Sequence, residues 1–286
     1  MRLLWVILIF ALGAPAAPGQ ERRRVLIIGI DGCRPDALLK AKAPHLHGLI
    51  KNGAFSAEAL TGDMTSSGPG WSSMLTGVWR EKHGIRDNKF ENADLKTYPH
   101  LFVRLKEKRP TARTASIVHW APINEKIIAA CDVVITRKTD AEVCAEAEKV
   151  LTAPQLDAIF VHFDDVDGAG HKHGFHPSVP AYLEAITAAD DRVGRLLAAL
   201  AKRAKTEDWL ILVSTDHGGK GKGHGGKSAE ERTVFVIVQG GKAKGTIAGP
   251  CGVVDVAVTA LDHLGVPVRA SWNLDGRSLL GAGKKD

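Results

Sequence analysis

Three aspartates and three histidines stand where they could hold metal together. Asp31-Gly32 follows the apolar run Val25-Leu26-Ile27-Ile28-Gly29-Ile30, Asp167 and His171 follow Ala158-Ile159-Phe160-Val161, and Asp216-His217-Gly218, with His224 beyond, follows Leu210-Ile211-Leu212-Val213. Each run reads as a buried strand. Ligands in an open α/β sheet bind beyond the carboxyl ends of the strands, so three such ends can share one crevice. Asp167 and His171 are four apart and would share a face of a helical turn, although Gly168 and Gly170 argue against a regular helix. Asp216 and His217 are adjacent, which points them apart on an extended strand, so a turn at Gly218-Gly219 must aim both at one ion. Carboxylate and neutral imidazole suit zinc and similar divalent cations. Six such side chains divide into two three-ligand sites with open positions, as in catalytic rather than structural metal centres. Taken singly, each has a plainer reading: Asp31 as a turn cap, Asp-His-Gly as a surface loop.

Two metals about 3.5–4 Å apart can activate a nucleophile on one side of a phosphoryl centre and stabilise the leaving oxygen on the other. The segment Thr65-Ser66-Ser67-Gly68-Pro69-Gly70-Trp71-Ser72-Ser73 offers hydroxyls at what reads as a helix start. Pro69 suits the first turn, and the free amides there attract phosphate. Ser67 reads as lying just outside that turn, where a serine also serves as an ordinary cap.

The elements that must position these residues alternate along the chain. Helical patterning covers Pro35 to Ile50, with a break near Pro44, then Pro69 to Thr76, Pro99 to Lys108, Pro122 to Ala130, a Thr139-capped stretch to Leu151, Pro180 to Lys205 and Val254 to Leu264. Ala115 to Val118, Val133 to Ile135 and Thr233 to Val238 read as further strands. Unbroken apolar strands between helices predict an α/β protein, a three-layer α/β/α sandwich with a mostly parallel central sheet.

With 44% hydrophobic and 24% charged residues among 286, the chain has enough apolar surface for a large core, which excludes a disordered protein. Met1-Arg2, the apolar Leu3 to Leu12 and Ala14-Pro15-Ala16-Ala17 predict a secretory signal over residues 1–20, cleaved near Ala16 or Ala17. An uncleaved anchor is the alternative, but the run falls short of the ~20 residues a bilayer needs. No later segment could span a membrane. Residues 21–286 then form a single domain, secreted or periplasmic, with neither a linker nor a repeat. The net charge of +6 is spread over several clusters rather than one stripe, so no nucleic-acid-binding groove is evident. It suits attraction of an anionic small molecule. Cys33, Cys131, Cys144 and Cys251 follow no zinc spacing; a Cys131–Cys144 bridge is compatible with an oxidising compartment, and free thiols are the alternative.

The order Ile28-Gly29-Ile30-Asp31-Gly32, Ser67-Gly68-Pro69-Gly70, Met74-Leu75-Thr76-Gly77, His83-Gly84-Ile85, Asp167-x-x-x-His171, Asp216-His217-Gly218 and His224 resembles the alkaline phosphatase superfamily, and within it the type I phosphodiesterase/nucleotide pyrophosphatase branch. The resemblance covers nearly all the mature chain. It implies two zinc ions, the first on Asp31, Asp216 and His217 and the second on Asp167, His171 and His224. It also implies Ser67 as the metal-bound nucleophile, a covalent phosphoseryl intermediate and a small-molecule phosphate ester as substrate. His162, His173 and His176 crowd the same stretch and read as second-rank or surface residues; His162 stands where a further magnesium site would need a carboxylate, so no third metal is expected.

The resemblance is imperfect beside the nucleophile. Branch members have Thr-Phe-Pro-Asn where this chain has Ser67-Gly68-Pro69-Gly70. That removes the Phe that stacks on a base and the Asn taken to hold a nonbridging oxygen, leaving Trp71, Trp79 and Trp120 as candidates for another apolar wall. Other readings compete. A phosphomonoesterase shares the metal residues. A sulfatase carries Arg where Trp71 stands. Gly221-Lys222-Gly223-His224-Gly225-Gly226-Lys227-Ser228 matches the P-loop pattern letter for letter, and a noncatalytic metal-stabilised binding module would hydrolyse nothing.

Overall fold

A computed structural model describes residues 22–203, 205–241 and 243–281; the signal segment lies outside them. In chain order the elements are β1 (Arg22–Ile30), α1 (Pro35–Lys40), α2 (Pro44–Asn52), β2 (Ala54–Leu60), α3 (Ser67–Thr76), α4 (Arg80–His83), α5 (Leu101–Lys108), β3 (Arg113–Val118) and β4 (Val133–Thr136). There follow α6 (Asp140–Leu151), β5 (Leu156–Phe163), α7 (Asp165–His173), α8 (Pro180–Ala201), β6 (Glu207–Ser214), α9 (Ala229–Arg232), β7 (Thr233–Gln239), β8 (Gly245–Thr246) and α10 (Asp255–His263). The strands form one eight-stranded sheet in the order β4-β3-β5-β1-β6-β7-β2-β8. Every neighbouring pair is parallel except the two that β7 makes, with β6 and with β2.

The alternation of side chains along β1 explains the layers. Val25 and Ile27 face a core shared with Leu75 of α3, Phe102 of α5 and Leu261 of α10, while Leu26 and Ile28 face one shared with Leu38, Leu46, Ala147 and Val193 of α1, α2, α6 and α8. Both faces of the central strands are therefore covered, which is why these strands carry unbroken apolar runs. The sheet is α/β, as expected, with helices on both sides.

One strand was not read from the sequence at all, and one expected helix is shorter. Ala54-Phe55-Ser56-Ala57-Glu58-Ala59-Leu60 has helix-forming composition but pairs with β7 as β2; the register that buries Ala54 and Ala59 outweighs local propensity. The expected helix from Pro122 is a single π-helical turn, Ile123–Ile127.

Helix α7, which carries Asp167 and His171, is docked by a carboxylate from elsewhere. Buried Asp140 accepts hydrogen bonds from the backbone N–H groups of Asp164 and Asp165 at 2.8 and 3.0 Å and from His119 Nδ1 at 2.8 Å. Asp140 thus caps α7 from the start of α6. Asp140→Ala leaves two part-buried amides without their acceptor, and we expect a loss of about 2–4 kcal/mol in unfolding free energy. An unchanged urea midpoint would show that α7 docks without it.

Candidate metal centre

Strands β5, β1 and β6 are neighbours at the middle of the sheet and run parallel. Their carboxyl ends bring together residues separated by up to 193 positions, from Asp31 to His224. Asp31 ends β1, Asp216 and His217 leave β6, and the chain from β5 enters α7, which places Asp167 and His171 one turn apart despite the glycines. Gly32 is required where it stands: its φ is +62°, and a Cβ there would overlap the Asp167 side chain. Its N–H points at Asp216 Oδ1 (3.3 Å), tying the first strand end to the third.

The hydrogen bonds of the three histidines decide what their inner nitrogens can do. His171 Nδ1 meets the Lys222 carbonyl at 3.0 Å, His217 Nδ1 the Gly218 carbonyl at 2.8 Å and His224 Nδ1 the Thr65 carbonyl at 2.7 Å. A carbonyl only accepts, so each neutral ring carries its proton on Nδ1 and aims a bare Nε2 lone pair inward. His171 Nε2 and His224 Nε2 lie 3.0 Å apart. Asp167 Oδ2 is 3.2 Å from the first and its Oδ1 3.6 Å from the second. His217 Nε2 faces Asp216 Oδ2 at 3.3 Å and Asp31 Oδ1 at 3.5 Å. Asp31 Oδ1, Asp167 Oδ1 and Asp216 Oδ2 are buried with no hydrogen-bond partner. Acceptors thus face acceptors at close range, so the metal-free cluster must hold protons on its carboxyls, and a divalent cation would take their place; the donor set of imidazole nitrogen and carboxylate oxygen fits zinc.

Potential ligand atoms of Asp167, His171 and His224 lie within 4.8 Å of one another, and so do those of Asp31, Asp167 and His217. Asp167 therefore reaches both groups, whereas the resemblance assigns it to one. Burial, joined by Asp216, drives the Asp31 carboxyl well above its usual range; burial and Asp167 do the same to Asp216. Burial together with Asp31 and Asp164 raises Asp167 to about 9. Burial pushes His224 down to about 3 and lowers His217.

Ser67 is the first residue of α3 rather than a residue before it; the cap position is Ser66. Its Oγ lies 3.5 Å from His217 Nε2. The Thr65 hydroxyl is committed elsewhere, donating to the Gly226 carbonyl and accepting from Gly225 N–H. Ser73 contacts His83 Nε2 at 2.9 Å, but His83 Nδ1 accepts from Ile85 N–H, so that imidazole donates to the serine and cannot act as its base.

Other residues take places the sequence reading did not assign. Asn88, in the loop after α4, accepts a hydrogen bond from Gly68 N–H at 2.8 Å, so an asparagine does stand beside Ser67 even though position 70 is glycine. Nothing local pairs position 88 with position 68. Trp71 is no exposed wall: it is fully buried and donates from Nε1 to Asp31 Oδ2. Phe90 and Trp120 instead form a half-buried aromatic pair, with centroids 6.2 Å apart. His162 is buried against Asp31, and His173 and His176 are exposed. The P-loop match is coincidental. Ser228 starts only the four-residue α9, Lys227 pairs with Asp63, and His224 turns toward the acidic cluster. All four cysteines are free, so Cys131 and Cys144 are not bridged; their thiols meet the Val133 and Arg192 carbonyls.

The sheet order and the carboxylate–imidazole cluster at its centre define an α/β sandwich with a candidate metal centre at the carboxyl ends of its middle strands. The sequence pattern of the type I phosphodiesterase / nucleotide pyrophosphatase family matches residues 25–129 and 113–221, and the chain belongs to that family. It is 22% identical over 231 residues to human ectonucleotide pyrophosphatase/phosphodiesterase family member 7, covering 72% of this chain and 50% of that protein. With the bovine bis(5'-adenosyl)-triphosphatase of the same family it shares 24% over 219 residues, 68% of this chain and 47% of the relative. The chain thus spans about half the length of the curated relatives it matches. Murine ectonucleotide pyrophosphatase/phosphodiesterase 5 in complex with AMP has the same fold, with a TM-score of 0.70 at 16% identity over 86% of this chain and 96% of that one. A putative sulfatase from Bacteroides thetaiotaomicron gives 0.75 at 16% identity over 93% and 76%. The family is metal-dependent, and this chain has the clusters to match.

The raised carboxyl pKa values have a sign that can be tested. Acids whose folded pKa lies above the unfolded value stabilise the metal-free fold at low pH, and that stability falls as pH rises toward the folded value, about 9 for Asp167. We expect the melting temperature of chelator-treated protein to drop between pH 5 and pH 9. Zinc at roughly 100 times its Kd should raise it by about 5–10 °C at pH 8. Zinc binding should also release protons, so its calorimetric enthalpy will vary with the buffer's ionisation enthalpy; a buffer-independent enthalpy would contradict the assignment.

Proposed function

We propose that this protein is a two-zinc phosphoric diester hydrolase acting through a covalent phosphoseryl intermediate, in the secreted or periplasmic compartment that its N-terminal segment indicates. The observation that carries the reading is the facing pair of unprotonated nitrogens, His171 Nε2 and His224 Nε2, 3.0 Å apart beside the buried Asp167, with Ser67 Oγ near a third at His217. Asp31, Asp216 and His217 would hold one ion near Ser67; Asp167, His171 and His224 would hold the other. When bound, such a pair lowers the pKa of the Ser67 hydroxyl, screens the phosphate charge and stabilises the leaving oxygen.

The residues of the chain do the rest. Ser67 Oγ, its proton released to solvent, attacks phosphorus as the bond to the leaving oxygen opposite breaks, and the departing alkoxide takes a proton from solvent. Water then attacks the phosphoserine from the side of Asp167, His171 and His224, restoring the Ser67 hydroxyl and releasing the phosphate product. At the start of α3 the Gly68 N–H is taken by Asn88 and the Gly70 N–H by the Ser66 carbonyl, and Pro69 has none, which leaves the Ser67 N–H for the phosphate. Asn88, with its Oδ1 held by Gly68 N–H, has its amide N–H₂ left to donate to a nonbridging oxygen as charge builds there. The diester reading rests on family membership, and a bovine relative is named for hydrolysis of bis(5'-adenosyl) triphosphate. Sulfatase chemistry is disfavoured because Trp71 occupies the arginine position and donates to Asp31.

A panel of nitrophenyl phosphate monoesters, diesters and sulfate esters with zinc-loaded protein tests the reading. Diesters should be the fastest class, and Ser67→Ala should lower kcat by roughly 10³-fold or more while zinc stoichiometry is kept. Faster sulfate ester turnover, or near-normal activity of the variant, would overturn it. Asn88→Ala should cost about 10²-fold, mostly in kcat, if the amide acts in the transition state; a loss confined to KM would assign it to ground-state binding.

A further inference from the structure

Asp31 has two carboxylate oxygens in very different surroundings. Oδ1 is buried without a hydrogen-bond partner and faces His217 Nε2 at 3.5 Å. Oδ2 receives Trp71 Nε1–H at 2.9 Å and meets His162 Nε2 at 3.1 Å. His162 Nδ1 is the acceptor for Trp120 N–H at 3.4 Å, so the ring carries its proton on Nε2 and also donates to Asp31. Both donors are fully buried, and the rings pack edge to face with centroids 4.8 Å apart.

The backbone is arranged for this contact. Trp71 lies four residues after Ser67 on α3, so the hydroxyl and the indole project from the same helix face one turn apart. A Cβ at Gly29 of β1 would overlap the Trp71 ring, which explains a glycine inside an otherwise apolar strand. Phe160 of β5 closes the other side, with ring centroids 5.8 Å apart. A buried indole N–H needs an acceptor, and here it takes one oxygen of a carboxylate whose other oxygen is orphaned toward the metal cluster.

We propose that Trp71 and His162 are positioning residues that clamp Asp31 as a one-oxygen ligand of the ion beside Ser67. By saturating Oδ2 they also close the neighbouring cluster of Asp31, His162 and Asp164, whose atoms lie within 4.8 Å of one another, to a third ion. The chain then holds two ions, with two N–H groups doing at Oδ2 what a further cation would do. This inference rests on the two-metal reading. Its consequence is selective: the clamp touches Asp31 and none of Asp167, His171 or His224, so losing it weakens one ion and spares the other.

Competitive zinc titration of the full chain against a chromophoric chelator provides the test, with folding checked by circular dichroism. Wild type should bind two zinc ions per chain. Trp71→Phe keeps the ring but loses the N–H, and should weaken one ion by about 10–100-fold while leaving the second unchanged. His162→Leu should do the same, and His162→Gln, which retains a donor, should stay near wild type. If Trp71→Phe fails to fold, the two His162 variants carry the test. The clamp is overturned if Trp71→Phe or His162→Leu binds both ions as wild type does, if both ions weaken equally, or if wild type takes a third. Wild type that binds no zinc removes the two-metal reading itself and the clamp with it.

Discussion

Everything at the centre of this molecule follows from one electrostatic constraint. Three imidazoles give their only proton to backbone carbonyls outside the cluster and turn bare nitrogens inward, toward three carboxylates that are largely or fully buried. In a low-dielectric interior such a gathering of acceptors is costly without a counter-charge. Protonation of the carboxyls relieves it in the metal-free protein, and cations would relieve it better because they also match the lone-pair directions. The outer carbonyls of Lys222, Gly218 and Thr65 therefore matter as much as the rings, since they select the tautomer.

The sheet answers that constraint by topology. Three parallel strands lying side by side, β5, β1 and β6, end at one level, and each delivers its polar residues in the first turn or loop beyond the core. Helix α3 comes from the far side of β2 in sequence yet packs its first turn at that rim, so Ser67 and Trp71 serve the same centre from one element. Helix α7 is held there by Asp140, a residue of another helix. The turn that leaves β1 uses Gly32 at φ +62°, a conformation glycine adopts without strain.

Much of the layer structure was legible in the sequence, because strands buried on both faces must be apolar throughout and helices of a sandwich must carry a stripe. The π-helical turn near Ile123 and strand β2 were not. Ala54 to Leu60 is strand only because β7 offers it a partner, and pairing is a property of two segments rather than one. Asn88 illustrates the same limit at the site. Its distance from Gly68 along the chain gives no hint that its amide holds the start of α3, so the family departure at position 70 suggested a missing donor. Trp71 was readable as a large apolar residue but not as a hydrogen-bond donor to a strand-end carboxylate.

By itself, then, the sequence determined the chemical types and their order: carboxylates and histidines just past apolar runs, hydroxyls at a helix start, and a pattern that places the chain in its family. Those are local properties, set by side-chain chemistry and by the period of burial. The tertiary structure alone decided which nitrogen of each imidazole is bare, that Asp167 reaches both groups of candidate ligands, that Asn88 flanks Ser67 and that one Asp31 oxygen is left without a hydrogen bond. Each of these depends on a hydrogen-bond partner supplied by a distant segment, and only folding chooses that partner.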